Sequence, residues 1–126
     1  MKVIITERQQ KLISEDENRE FLVKKKIAKK ELTKRFGDLR PIKVKDYPEI
    51  TFYGNKNRKI YIQYNEYYKK IGIDEIYLFL EDTFDFDEDQ IKKIMEEWLG
   101  DHYGLEVKNV IQAERDFWGW DEIVNR

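Results

Sequence analysis

Apolar residues recur along this 126-residue chain with two different periods. In the first third, Phe21, Ala28, Leu32 and Phe36 fall on one helical stripe, while Val23 and Ile27 lie on another side. Apolar residues on two sides predict a helix wedged between neighbours. Ser14 with Glu17 supplies a capping-box start for it. Gly37 marks its end, as the residue type that most easily turns left-handed after a last turn, and Pro41 prevents continuation. Upstream, Val3-Ile4-Ile5 reads as a short strand, and Thr6 with Gln9 opens a brief helix through about Ile13.

After Pro41 the period falls to two. Ile50 and Phe52, then Ile60, Ile62 and Tyr64, alternate with more polar positions as half-buried strands do. Gly54-Asn55-Lys56-Asn57-Arg58 supplies turn residues between them, so 49–53 and 59–64 are expected to form an antiparallel hairpin. Ile42-Lys43-Val44-Lys45 adds an edge strand whose lysines discourage further pairing. Ile76-Tyr77-Leu78-Phe79-Leu80, the longest apolar run, is apolar on both faces and is read as a central strand.

The clearest helix follows. Asp87 caps it with Gln90 three residues later, and Ile91, Ile94, Met95, Trp98 and Leu99 form its buried stripe up to Gly100. Leu105-Glu106-Val107 then begins a strand to about Ile111. Strand 76–81, helix 88–99 and strand 105–111 make a β-α-β crossover. The expected architecture is a single α+β domain spanning 1–126. Its N-terminal helices, in a section of about 6–37, pack with a small, mostly antiparallel sheet. The sheet and its covering helix occupy about 42–111, and an aromatic tail fills 112–126.

Charge changes the picture. Residues 1–60 hold 17 Lys and Arg against 9 Asp and Glu, and residues 61–126 hold 7 against 17, for a net charge of −2. Such polarity fits two opposed surfaces docking within the chain, head-to-tail association, or a basic face aimed at an acidic partner. The chain has no cysteine, which removes disulfides, thiol catalysis and thiolate metal sites, and fits a reducing cytoplasm. The apolar start is too short for a signal-peptide core or a membrane span, so a soluble protein without membrane partners is expected.

Catalytic chemistry finds little footing. Ser14, the only serine, has its capping context, and His102, the only histidine, reads as a helix-end or surface residue. No glycine-rich phosphate loop is present. The run Glu81-Asp82-Thr83-Phe84-Asp85-Phe86-Asp87-Glu88-Asp89 echoes a calcium loop when Asp85, Asp87, Asp89 and Glu96 are counted as positions one, three, five and twelve. Gln90 stands where that loop needs glycine, and the helical stripe claims the same residues. Helix-start carboxylates are the preferred reading, with a metal-dependent enzyme the weakest alternative. No cofactor, metal site or catalytic set is assigned.

Two surfaces remain. Lys24, Lys25, Lys29, Lys30 and Arg35 form the best nucleic-acid signal, since several cations on one helix can track phosphates. Their spread round the helix equally fits a solvated face turned towards the acidic half. Tyr53 and Tyr61, near Lys59, add a weak base-stacking possibility. In the tail, Phe117, Trp118 and Trp120 read either as a lid folded over the core or as an anchor for another protein or a second copy.

The opening Met1-Lys2-Val3-Ile4-Ile5-Thr6-Glu7-Arg8-Gln9 resembles the start shared by many small phage- and metagenome-encoded proteins. Some of them also carry a late segment similar to Phe86-Asp87-Glu88-Asp89-Gln90-Ile91 through Trp98-Leu99, then Tyr103-Gly104-Leu105. No activity is established for them, so the resemblance implies a phage setting, in host cytoplasm or virion, and brings no functional residues. The leading expectation is a non-enzymatic protein-interaction module, a phage accessory or virion component or a modulator of a host protein. Nucleic-acid binding through the basic helix is the alternative.

Overall fold

The structure, a computed structural model, describes residues 7–114 and 118–125, with side chains from residue 19 onward. The strand read at Val3–Ile5, the Thr6 cap and Phe117 lie outside the described residues. The order of elements is α1 (Glu7–Phe36), β1 (Arg40–Lys43), β2 (Ile50–Gly54), β3 (Ile60–Asn65), β4 (Lys70–Ile73), α2 (Glu75–Phe84), α3 (Glu88–Tyr103), β5 (Asn109–Gln112) and α4 (Trp120–Val124). The fold is α+β, with one five-stranded sheet in the order β1-β2-β3-β4-β5. Pairing is antiparallel from β1 to β4 and parallel between β4 and β5. Among the described residues no helix is long and apolar enough to cross a membrane.

Several sequence expectations need correction. The two N-terminal helices are one, because no proline or glycine interrupts residues 7–36 and Ser14 is passed inside a continuous helix. That helix is not wedged between neighbours: Ala28 and Leu32 are buried, whereas Leu22, Val23 and Ile27 are 51%, 61% and 49% exposed. Gly37 does end it, but not through left-handed backbone. A Cβ there would lie 2.2 Å from the Thr33 carbonyl oxygen and 3.2 Å from His102 Nε2, so close approach is what requires glycine.

The run Ile76–Leu80 is helix, not strand. Ile76 and Leu80, four apart, are buried, while Leu78 is exposed. A short run apolar on every side has no period to separate the two forms. The strand position belongs instead to Lys70-Ile71-Gly72-Ile73. The crossover between parallel β4 and β5 therefore runs through both α2 and α3. Helix α3 passes Gly100 and stops at Gly104, which takes φ 68° and donates its N–H to the Leu99 carbonyl. The last strand starts at Asn109, after a link in which Leu105 and Val107 pack on the core.

Other elements form as their residues dictate. Asp87 accepts from the Gln90 N–H at 2.8 Å while the Gln90 side chain accepts from the Asp87 N–H at 3.0 Å, closing the capping box. All five stripe residues of α3 are buried. The hairpin forms as expected, with a register shift at Tyr53/Gly54. Asn55 Oδ1 accepts from the N–H groups of Asn57 and Lys59 and fixes its turn.

The sheet has two unequal faces. Tyr53, Ile62, Tyr64, Ile71, Ile73 and Val110 join the main core beneath α1, α2 and α3. On the other face, Ile42, Phe52, Gln63, Gly72 and Ile111 stand opposite one another across all five strands. Among the described residues, only the C-terminal segment covers this row, through a small cluster of Phe52, Ile60, Ala113, Trp120 and Val124.

Candidate functional site

The tail resolves into two tryptophans with opposite fates. Trp120 is 1% exposed and donates its Nε1–H to Gln63 Oε1 at 2.6 Å. A Cβ at Gly72 would stand 3.5 Å from the Trp120 ring and 3.0 Å from the Ala113 Cβ, so a bare strand position makes room for the indole. Arg58, itself at φ 62°, ties the end of the tail to the hairpin turn by donating to the Val124 carbonyl at 2.9 Å and to Asn125 Oδ1 at 3.3 Å. The expected lid is real for this part of the tail. Trp120 is therefore spent inside the fold and does not present itself to a partner.

Gly119 separates the two rings. Its φ of 66° is left-handed backbone that glycine adopts readily, and it stands between them as the residue that opens α4. Trp118 stays 41% exposed. It lines an open groove of about 210 Å³ with Gln63, Asn65, Tyr68, Lys70 and Ile111. Asn65 Oδ1 accepts from the Tyr67 and Tyr68 N–H groups at 3.0 and 3.1 Å, a local turn that holds both tyrosines outward. Their rings meet edge-on at 4.8 Å and are 78% and 67% exposed. Tyr67 and Tyr68 carry no periodic signal, so sequence reasoning overlooked them. The Asn at the head of Asn65-Glu66-Tyr67-Tyr68 was the available clue.

Two of the five cations singled out on the basic helix turn inward on α3. Lys25 Nζ lies 3.1 Å and Lys29 Nζ 3.5 Å from Glu97 of α3, and Lys29 also reaches Asp101 at 4.0 Å. Burial pushes the Glu97 carboxyl up, but the Lys25 hydrogen bond and the charges of Lys29 and Lys25 outweigh it and hold the group below its ordinary value. Lys24 pairs with Glu20 and Arg35 with Glu31, each one helical turn back. Lys30 is exposed and has no ion pair among the described residues. Part of the charge polarity thus serves docking of α1 on α3.

Three side chains of α3 complete that docking. Trp98 Nε1–H donates to Thr33 Oγ1 at 3.0 Å, and His102 Nε2, facing a carbonyl that only accepts, donates to Gly37 O at 2.9 Å. The Tyr103 hydroxyl donates to the Phe36 carbonyl at 2.5 Å and accepts from the Leu39 N–H at 3.1 Å. Burial, in the main, pushes the Tyr103 phenol up to about 12. His102, stacked on Trp98, is accounted for as a cap on the carbonyl end of α1.

The acidic run is an elbow between helices. Asp85 takes φ 57° after α2 and donates its N–H to the Glu81 carbonyl, and Asp87 caps α3. Phe84 and Phe86 stack at 5.3 Å between them. Among the described residues no three acidic or histidine side chains converge as a metal-holding group. Tyr53 is buried against Tyr103 and offers no free stacking face, whereas Tyr61, packed on Phe36 beneath Lys59, stays half-buried. Set against known proteins, the chain matches no family model and shows no significant similarity to a curated protein or a solved structure.

Proposed function

We propose that this protein is a non-enzymatic interaction module that grips another protein at the Trp118 groove, as a phage accessory or virion component or a modulator of a host protein. One observation carries the reading: two residues from a tryptophan packed into the fold, Trp118 is held partly in water in a groove shared with exposed Tyr68, whose ring meets that of exposed Tyr67. Exposed aromatic area is unfavourable, and Trp and Tyr are the residues that dominate binding energy at protein interfaces. Exposures of 41%, 78% and 67% for Trp118, Tyr67 and Tyr68 leave on the order of 400 Å² of residue surface in water. That is about half of the ~800 Å² each side contributes to a standard interface. Gln63, Asn65 and Lys70 supply polar groups around the rings, as an interface rim requires.

The test compares wild type with Trp118→Ala in affinity capture and light scattering, alongside thermal unfolding. Loss of an associated protein at an unchanged unfolding midpoint supports the reading. Loss of self-association instead names a second copy as the partner. Unchanged association with a lowered midpoint assigns Trp118 to the fold and removes the proposal.

A further inference from the structure

A second concavity, of about 540 Å³, shares no residue with the Trp118 groove. Arg35, Asp38, Arg40, Asn55, Lys56 and Tyr61 line it, between the end of α1, the start of β1 and the β2–β3 turn. Its volume lies within the range of small-ligand sites. We infer that this cleft binds a terminal phosphate, carried by a free nucleotide or by the 5′ end of a nucleic-acid strand.

Charge is the first support. Three cations face one carboxylate, and Arg40 and Lys56 form no ion pair among the described residues. These two are not lysines of the α1 run but come from β1 and the hairpin turn, so compensation of a helix end does not explain them. Guanidinium forks match the oxygens of a phosphate, and an ammonium adds a point charge.

Rigidity is the second. Arg35 lies over the Phe79 ring at 4.6 Å and 3.5 Å from Glu31, which narrows its freedom before any ligand arrives. Lys56 projects from the turn that Asn55 pins through the Asn57 and Lys59 N–H groups. The segment leading to Arg40 is held by His102 on Gly37 and Tyr103 on Leu39. A ligand therefore orders little chain on binding, which favours affinity.

The carbonyl end of a helix would ordinarily repel an anion. Here the Phe36 and Gly37 carbonyls already accept from Tyr103 and His102, so that negative end is partly answered from within the fold. Asp38, with Glu31 already paired to Arg35, remains as the opposing charge, and together they favour a compact ligand gripped by the three cations over a long polyanion laid across the surface.

Calorimetric titration of the full chain with AMP, with a 5′-phosphorylated oligothymidylate and with its 5′-hydroxyl counterpart tests the site. Saturable binding of AMP or of the phosphorylated strand is expected, weakened about tenfold by Arg40→Gln and by Lys56→Gln. Lys24→Gln, outside the cleft, is expected to change nothing. Equal affinity for AMP and the phosphorylated strand points to a free nucleotide, and tighter binding of the strand points to a strand end. No saturable binding overturns the inference. So does a 5′-hydroxyl strand that binds as tightly as the phosphorylated one, or a Lys24→Gln effect as large as those in the cleft. All three positions are partly or fully solvent-facing, and circular dichroism verifies that each variant is folded.

Discussion

The two faces of the sheet are closed by different means. One lies under three helices whose buried residues run from Ala28 of α1 to Leu99 of α3, so no single side chain holds it. The other is covered by a five-residue helix and rests on Trp120, with Val124 and Ala113 beside it. Redundant packing makes the first face a rigid platform. Thin cover on the second leaves a groove next to the lid, and that groove holds the exposed aromatics. Within that second face the buried and the exposed tryptophan are separated at Gly119.

The sharpest way to break this comparison is Trp120→Ala. Removing a fully buried indole from a cover this small is expected to cost about 3–5 kcal/mol in chemical denaturation. The tail's contacts should be lost before the main core melts. Next comes Tyr103→Phe on the first face, which deprives the Phe36 carbonyl and the Leu39 N–H of one shared partner; about 1–3 kcal/mol is expected. The same hydroxyl predicts an alkaline limit. Its folded value of about 12 exceeds the ordinary 10, so the unfolded chain loses the proton first. Stability is full below pH 10 and falls as pH rises towards 12, a slope that Tyr103→Phe should reduce.

Smaller effects sharpen the picture. Gly119→Ala strains a left-handed position and is expected to cost about 1 kcal/mol, loosening the tail without touching the first face. Glu97→Gln removes a half-exposed partner of Lys25 and Lys29, and solvent screening should keep its cost below about 1 kcal/mol. The depressed carboxyl fixes the sign of its pH dependence. Its contribution is present above the ordinary value of 4.5 and is lost as pH falls through the lower folded value. The Glu97→Gln protein should show a flatter acid limb in urea unfolding.

Much of the first face was legible in the chain. Asp87 with Gln90 and the stripe from Ile91 to Leu99 define α3 because cap and period agree. The hairpin was equally readable, since turn residues separate two alternating runs. Ile76–Leu80 was not, because a run apolar all round lacks a period, and β4 was hidden by its brevity and by Gly72. That glycine answers to Trp120, which lies nearly fifty residues further on. The groove was invisible for the same reason: the turn at Asn65 and the ring of Trp118 have no local pattern in common. Val23 and Ile27 show the converse limit, since apolar spacing marks a face but does not say whether anything covers it.

The most direct test of the two tryptophans' opposed roles is acrylamide quenching of tryptophan fluorescence in Trp118→Phe and Trp120→Phe, with Trp98 buried as the internal reference. The quenchable fraction is expected to vanish in Trp118→Phe and to persist in Trp120→Phe. Equal loss in the two variants, or quenching that survives Trp118→Phe, would contradict a tail with one ring committed to the fold and the other left to solvent.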